Sequence, residues 1–381
     1  MKRFMKTKLF TWLALVCILV AGISVPSSAA SSHQIEAQVI ESSETNAPFE
    51  MTMLDVGQGL SLLIKADGKY MIYDGGGRSR SSYVVSYLKK HGVTELQYLT
   101  ASHYDEDHIA GLVGVLNTTK VDTIVCPDYQ KDTKIYQSFI NKEQQSKAKV
   151  THPKTGYTLT LGNAAIKVLS ADNSAEKDNN RSIAMRVTYG NFSVIMTGDA
   201  ELDEETSIIY NKYNIDSDVY VVGHHGSKYS SSTAFLNAVT PAYTLISCGT
   251  GNSYGHPTEE ALRRIKESGS KLYRTDVQGE VTVYSDGNKY WFSQAPSNNW
   301  TQGDIVEKSE TKSNEGTTGA TISTSDDASG TTYILNTRSK KFHYPYCNSV
   351  SKMSEKNKKS SHESREQLIK QGYQPCKNCN P

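Results

Sequence analysis

The sequence predicts an α/β fold of two sheets covered by helices, followed by a small zinc-stabilised module. Three observations predict it. Short β-rich runs come in clusters with helical stretches between them from Phe49 to Phe292, the pattern of two layered sheets. Clusters of His and Asp fall where the strands stop, where loops can gather polar groups without exposing core backbone. The last stretch, Tyr333 to Pro381, has few apolar residues yet holds three of the six cysteines.

The N-terminus reads as a processing signal. Lys2, Arg3, Lys6 and Lys8 precede an uncharged apolar run from Leu9 to Val25, and Ser28-Ala29-Ala30 fits a signal-peptidase site. Residues 1–30 are therefore expected to be a signal peptide cleaved after Ala30, giving a secreted protein. The run is short for a spanning helix, so no stable membrane span is expected after cleavage. Val16 before Cys17 argues against a lipid anchor.

Residues 31–48 are polar and pattern-free, an expected exposed leader. The main domain, 49–292, opens with strands at Met51–Val56, Leu60–Lys65 and Tyr70–Tyr73, separated by Gly-Gln-Gly and Asp-Gly turns. A helix at Tyr83–Lys90 closes at Gly92. A strand at Leu96–Ala101 then leads into a helix at Glu106–Leu116. In the second half, strands are expected at Ile166–Ser170, Ile183–Thr188, Ser193–Met196, Val219–Val222 and Tyr243–Ser247, with helices at Glu204–Tyr213 and Thr233–Val239. Pro257 is placed as the first residue of a helix ending before Gly269. Leu272–Arg274, Glu280–Tyr284 and Tyr290–Phe292 close the domain. Cys126 and Cys248 end apolar runs and read as buried small hydrophobes, although pairing between them stays open. Residues 293–332 are Ser, Thr, Gly, Asn and Asp with almost no large apolar residue, an expected disordered linker.

Charge separates the parts. From Tyr333 onward ten Lys or Arg face three Glu, a net +7, whereas residues 31–332 carry −10. The small tail is the natural polyanion-binding piece, with a solvated basic surface as the plainer reading.

The densest feature is His103-Tyr104-Asp105-Glu106-Asp107-His108. Residues two apart in extended chain point the same way, so His103 and Asp105 can face one metal. The turn into a helix can swing Asp107 and His108 toward a second. Imidazole with carboxylate suits Zn, Mn or Fe, and the oxygen-rich set makes Mn a rival to Zn. A capped polar helix start is the plainer reading, but two His and two Asp within six residues weigh against it. Asp199, in Thr197-Gly198-Asp199 after a strand, could bridge two ions. Gly223-His224-His225-Gly226-Ser227 offers further imidazole at another strand end.

These motifs resemble a known family. His103 to His108 looks like the metal motif of the metallo-β-lactamase fold, an αββα sandwich, with Asp105 where lactamases usually carry His. The set LDVGQG (54–59), DGGG (74–77), SHYDEDH (102–108), NNRS (179–182), TGD (197–199), HHGS (224–227) and YGHP (254–257) is similar to the ComEC type. That type includes the hydrolase domain of the competence protein for DNA uptake. The resemblance implies that His103 and Asp105 hold one metal, Asp107 and His108 the other, Asp199 bridges, and His224 completes the site. It places His225 as a supporting or substitute ligand and Asn179, Asn180 and Ser182 at substrate or metal-bound water. Ser227 and Lys228 are expected substrate contacts. His256 is expected to reach phosphate from a helix start. One departure stands out: Leu60 follows Gly-Gln-Gly where the pattern usually has an acid.

The mechanism implied is hydrolysis by a hydroxide activated between two divalent ions, Zn or Mn, with Asp107 orienting it or carrying its proton. In the tail, His343, Cys347, Cys376 and Cys379 make a closed tetrahedral set for one structural zinc. Their spacing resembles the zinc domain of the DNA-repair methyltransferase Ada, with His343 at the first cysteine's position, so methyl transfer is not expected. Three functions remain in competition. One is a secreted nuclease or phosphodiesterase acting on extracellular DNA. Another is an esterase acting on wall phosphodiesters such as teichoic acid, or on a lactone or lactam. The third is a non-catalytic polyanion-binding protein with a structural metal site. The basic tail would tether the protein to DNA or to a cell-wall polymer.

Overall fold

In the computed structural model the described residues are 38–39, 47–304, 333–343, 347–361, 363 and 365–376. The expected signal peptide, the linker beyond 304 and Cys379 lie outside them.

The first half contributes β1 (Gln38–Val39), β2 (Phe49–Met53), β3 (Leu62–Ala66), β4 (Lys69–Tyr73), α1 (Ser81–Lys90), β5 (Glu95–Thr100), α2 (Glu106–Leu116), β6 (Lys120–Val125), α3 (Lys134–Ser146) and β7 (Lys149–Thr151). The second contributes β8 (Thr158–Leu161), β9 (Ala164–Ser170), β10 (Ala184–Tyr189), β11 (Phe192–Met196), α4 (Leu202–Tyr210), β12 (Val219–Val221), α5 (Thr233–Val239), β13 (Tyr243–Ile246), α6 (Glu259–Glu267), β14 (Lys271–Arg274) and α7 (Thr275–Gln278). The last two strands of the domain are β15 (Val281–Ser285) and β16 (Tyr290–Phe292). One sheet has the order β1-β16-β15-β2-β3-β4-β5-β6-β7 and the other β14-β13-β12-β11-β10-β9-β8.

Period-two alternation sends side chains to opposite faces of each sheet. Met51, Met53, Leu62, Ile64, Met71 and Tyr73 point inward against Ile166, Met185, Val194, Met196, Val219 and Val221 of the second sheet. Leu63 and Ile72 point outward under α1, α2 and α3. Ile195 and Tyr220 point outward under α4, α5 and α6. The result is an αββα sandwich whose central core contributes roughly 1.5–3 kcal/mol per fully buried aliphatic side chain. Helix starts follow local chemistry: the Thr133, Ser232 and Thr258 hydroxyls accept from Tyr136, Phe235 and Ala261 N–H respectively.

Four expectations change. Part of the leader is not free: Gln38 and Val39 pair in parallel with Trp291 and Phe292. The domain also runs past Phe292. Ser297 N–H donates to the Leu272 carbonyl, and Arg274 donates to the Asn299 and Thr301 carbonyls. Pro257 does not open a helix; it follows a cis peptide from His256, and Thr258 caps α6. Leu60 is buried in the core between the sheets, and its N–H donates to the Asp107 carbonyl. Cys126 and Cys248 are both buried and unpaired. No helix among the described residues is long and apolar enough to cross a membrane.

The C-terminal module has β17 (Tyr333–Asn336), β18 (Lys341–His343), α8 (Asn348–Ser351), β19 (Lys358–Ser361), α9 (Arg365–Lys370) and β20 (Gln374–Pro375), with sheet order β19-β17-β18-β20. Its apolar core is Tyr333, Leu335, Phe342, Leu368 and Tyr373, too small to stabilise such a module by itself.

Candidate metal centre

Six of the proposed ligands meet between the ends of β5, β11 and β12, joined there by His225. Asp105 sits at the N-cap of α2, with Asp107 and His108 in its first turn. That turn is pressed onto the segment 74–77. Gly75 N–H donates to the His108 carbonyl, Gly111 N–H donates to the Gly76 carbonyl, and a Cβ on Gly111 would collide with the Gly75 carbonyl oxygen. Only glycine permits this approach, which fixes the height of Asp107 and His108.

Asp199 lies between two groups of donors. His103 Nε2 and His224 Nε2 are 4.0 and 3.9 Å from its Oδ2, and Asp105 Oδ2 is 3.9 Å from His103 Nε2. His108 Nε2 and His225 Nε2 are 3.1 and 3.6 Å from its Oδ1, and Asp107 Oδ2 is 3.4 Å from His225 Nε2. Each oxygen of Asp199 thus serves one half-site, each half holding two imidazoles and a further aspartate. Both His224 and His225 have left-handed backbone, φ 50° and 55°. This throws adjacent side chains to opposite sides, so both reach the centre. His225 therefore stands among the donors of the second half-site, the substitute-ligand alternative that the sequence reading left open beside a supporting role.

The residues present fit a pair of divalent ions. His103 Nε2, His108 Nε2, His225 Nε2 and Asp199 Oδ1 are buried and carry no hydrogen bond. They converge, which polar atoms shielded from water do at a cost unless something fills the space between them. The outer nitrogens are held. His108 Nδ1 is 2.7 Å from Asp74 Oδ2, His103 Nδ1 is 3.0 Å from Ser102 Oγ, and His225 Nδ1 is 2.9 Å from the Ser247 carbonyl. Asp74 also accepts from the Ser102 N–H and hydroxyl at 2.7 Å each. Such partners fix ring orientation and raise ligand basicity.

Electrostatics favours ionised carboxylates here. Burial opposes charge on Asp199, yet His108 and His225 hold it well below the usual carboxylate range. For Asp107 too burial is outweighed, by the neighbouring His225 ring and the charge of His108, and its carboxyl is lowered. His108 is pushed well up, because Asp199 and Asp74 outweigh its burial. His103 is lowered by burial and by the neighbouring His108. Burial, followed by His225 and His224, pushes His256 down to about 3, so it is a neutral ring at physiological pH.

Other expected site residues have different partners. Asn180 Oδ1 accepts from Glu201 N–H at 2.9 Å, and Ser182 Oγ accepts from Asp199 N–H at 3.1 Å. Both are buried and bonded to the 199–201 backbone that carries the bridging carboxylate. Asn179 Nδ2 donates to Glu201 Oε1 at 3.2 Å and lies 3.4 Å from His224 Nδ1. Ser227 is buried and holds its own loop, its Oγ accepting from Tyr229 N–H at 3.3 Å. Lys228 is exposed, 5.2 Å above the Tyr229 ring. His256 meets His224 edge-on at 5.5 Å, with its Nδ1 3.3 Å from Gln58 Nε2. The helix start behind it carries Glu259 and Glu260, so it does not supply an anion site. Sequence reading assigned no role to Asp74, Glu201 or Lys131. Lys131 Nζ pairs with Asp105 Oδ1 and with Asp178 Oδ2, leaving Asp105 Oδ2 for the metal side. The Asp before three glycines in 74–77 was the one available signal for Asp74.

In the C-terminal module, His343, Cys347 and Cys376 offer ligand atoms within 4.8 Å of one another, and both ring nitrogens of His343 are buried without partners. This set could hold a metal.

Residues 54–250 match the metallo-beta-lactamase superfamily, and the chain belongs to it. Within that class it is similar to competence proteins. It is 32% identical over 236 residues to Competence protein ComA of Neisseria gonorrhoeae and 31% over 256 to ComE operon protein 3 of Bacillus subtilis. Those matches cover 61% of this chain in both cases, against 31% and 32% of the relatives. The chain thus spans about a third of the length of the curated relatives it matches. Among solved structures, the metallo-beta-lactamase fold protein YhfI from Bacillus subtilis aligns with a TM-score of 0.42 at 14% identity, covering 59% of this chain and 95% of that one.

Proposed function

We propose that this metal-dependent hydrolase is an exported phosphodiesterase acting on DNA. The observation that carries the reading is the Asp199 carboxylate, whose Oδ2 faces His103 and His224 and whose Oδ1 faces His108 and His225, with the Nε2 atoms of His103, His108 and His225 buried and unpartnered. His103, Asp105 and His224 would hold one ion, Asp107, His108 and His225 the other. Two bound ions would supply an activated water and stabilise the charge that develops on a phosphoryl oxygen.

The chain's own residues do the rest. Asp74 keeps the His108 ring turned so that Nε2 faces inward, and the Ser247 carbonyl does the same for His225. Asp107 Oδ2, at the open side of the second half-site, can take the proton of an attacking water. Its lowered pKa keeps it ionised, as a metal ligand must be. His256, neutral and next to His224, is placed to donate to a phosphate oxygen or leaving group through a ring nitrogen.

DNA is favoured by similarity to competence proteins and by the +7 tail. Export rests on the basic, apolar and small-residue succession of residues 1–30, and the tail would use one zinc to hold a polyanion tether. The test is a cleavage screen of plasmid and single-stranded DNA alongside teichoic acid, with Mn or Zn and with chelator. Cutting of DNA by wild type and not by Asp107→Ala supports the reading. Turnover of teichoic acid but not DNA favours the wall esterase, and retained metal without turnover of either leaves a binding protein. Mass analysis of the culture supernatant tests cleavage after Ala30.

A further inference from the structure

Two tyrosines stand out of the loops that carry the metal-facing histidines. Tyr229 is 50% exposed and Tyr254 66% exposed. Of the seven large apolar side chains exposed among the described residues, these two and Leu202 belong to the segments that border the centre. Leu202 is tied to Tyr229 by a backbone bond of 2.9 Å.

Tyr254 is separated from His224 by one intervening residue and Tyr229 by two. The Tyr254 ring stacks on His256 at 5.5 Å and 23°, and His256 meets His224 at 5.5 Å. On the other side, Lys177 lies 5.9 Å from the Tyr229 ring and pairs with Glu201, which is 3.6 Å from His224 Nδ1. The backbones are fixed while the rings face solvent. Asn252 Oδ1 accepts from Tyr254 and His256 N–H, Asn252 Nδ2 donates to the His256 carbonyl, and Ser227 Oγ accepts from Tyr229 N–H. Lys177 and Lys228 add two ammonium groups around Tyr229.

We propose that Tyr254 and Tyr229 form a stacking rim for unpaired nucleobases, which makes single-stranded nucleic acid the preferred substrate of the centre. The proposal rests on the phosphodiesterase reading. A fixed, exposed ring offers a flat face to any base, and the ammonium groups beside it match the phosphates on either side. In a duplex both faces of a base are covered by its neighbours, so the rim is usable only where bases are unpaired. A wall polymer without bases has nothing to stack.

The test compares a short single-stranded oligonucleotide, its duplex, and an abasic oligomer of the same length and charge, using the full Mn-loaded chain. Wild type is expected to favour the unpaired strand over both others by about tenfold. Tyr254→Ala and Tyr229→Ala should each reduce the ratio of kcat/KM for the unpaired strand to that for the abasic oligomer by about tenfold, mainly through KM. Tyr254→Phe and Tyr254→Trp should restore it. Fluorescence anisotropy of the same labelled oligomers reads the rim without turnover, and the basic tail should bind both by charge alike. If wild type cuts neither oligomer, the phosphodiesterase reading fails, while base-dependent binding lost in Tyr254→Ala would still support the rim. Equal affinity for the unpaired and abasic strands, or a ratio untouched by both alanine variants, overturns the rim and leaves the phosphodiesterase reading standing.

Discussion

Asp199 contributes an oxygen to each half-site, so its loss should act on both ions together. Asp199→Asn is expected to leave the chain with neither ion after desalting, measured as metal per chain, whereas Asp74→Asn should weaken affinity by roughly 10–100-fold through the His108 ring. Protons compete with the ions. In the metal-free centre His108 and His225 are both raised, each against its own burial, by Asp199 together with Asp74 or Asp107. Metal uptake must expel these protons, so affinity should rise with pH, with proton release visible by calorimetry in buffers of different ionisation enthalpy. Glu204 is a separate case. It is 3% exposed, neither carboxylate oxygen has a hydrogen-bond partner, and burial pushes its pKa well up. Its folded state stays protonated after the unfolded chain has ionised. It therefore costs nothing below the unfolded pKa, and stability falls above it by up to about 1.4 kcal/mol per pH unit. Glu204→Gln should flatten that slope, gaining on wild type as unfolding is measured from acid toward neutral pH.

At the scale of elements, the contact between α2 and the segment 74–77 is the most demanding. Gly111→Ala forces the helix off the Gly75 carbonyl, at a cost of about 3 kcal/mol. Calorimetry should show a Tm lower by roughly 6–12 °C, and the displaced Asp107 and His108 should weaken metal binding. Most elements of the sandwich were legible in the chain, because a strand whose alternate residues enter two different cores reads as a period of two. Helix α2 was legible at both ends, from the acids at its start and the apolar run behind them. Helix α3 was not: only Tyr136 and Phe139 of its residues are buried, which leaves a polar stretch without a readable stripe. Residues 293–304 escaped for a related reason, being held mainly by hydrogen bonds to Leu272 and Arg274, with the Trp300 ring packed on the core. The cluster from His103 to His108 was conspicuous, but dividing labour between His224 and His225 needed their left-handed backbone, which no spacing rule encodes. That Asn180 and Ser182 hold the 199–201 backbone was not legible, because hydrogen bonds to a distant main chain leave no pattern in the sequence.

Across the whole molecule, chelation should separate the two metal-binding parts. Among the described residues the main apolar cluster of the C-terminal module has five side chains, and the module is expected to lose protease resistance under chelation, as is the Cys376→Ser protein. The sandwich, with three extensive apolar clusters, should keep its far-UV circular dichroism at the same chelator concentration while melting earlier. A ligand at a hundred times its dissociation constant adds about 2.7 kcal/mol to the folded state, so Tm should climb with added Mn or Zn. The donors of the centre come from both sheets: His103 to His108 follow β5 of the first, while Asp199, His224 and His225 follow β11 and β12 of the second. Ions bound there would therefore clasp the two halves of the sandwich as well as serve the reaction. A chain deprived of metal is then expected to be loosely fastened and open to proteolysis as well as inactive, so the ion content of its surroundings would set its lifetime together with its activity.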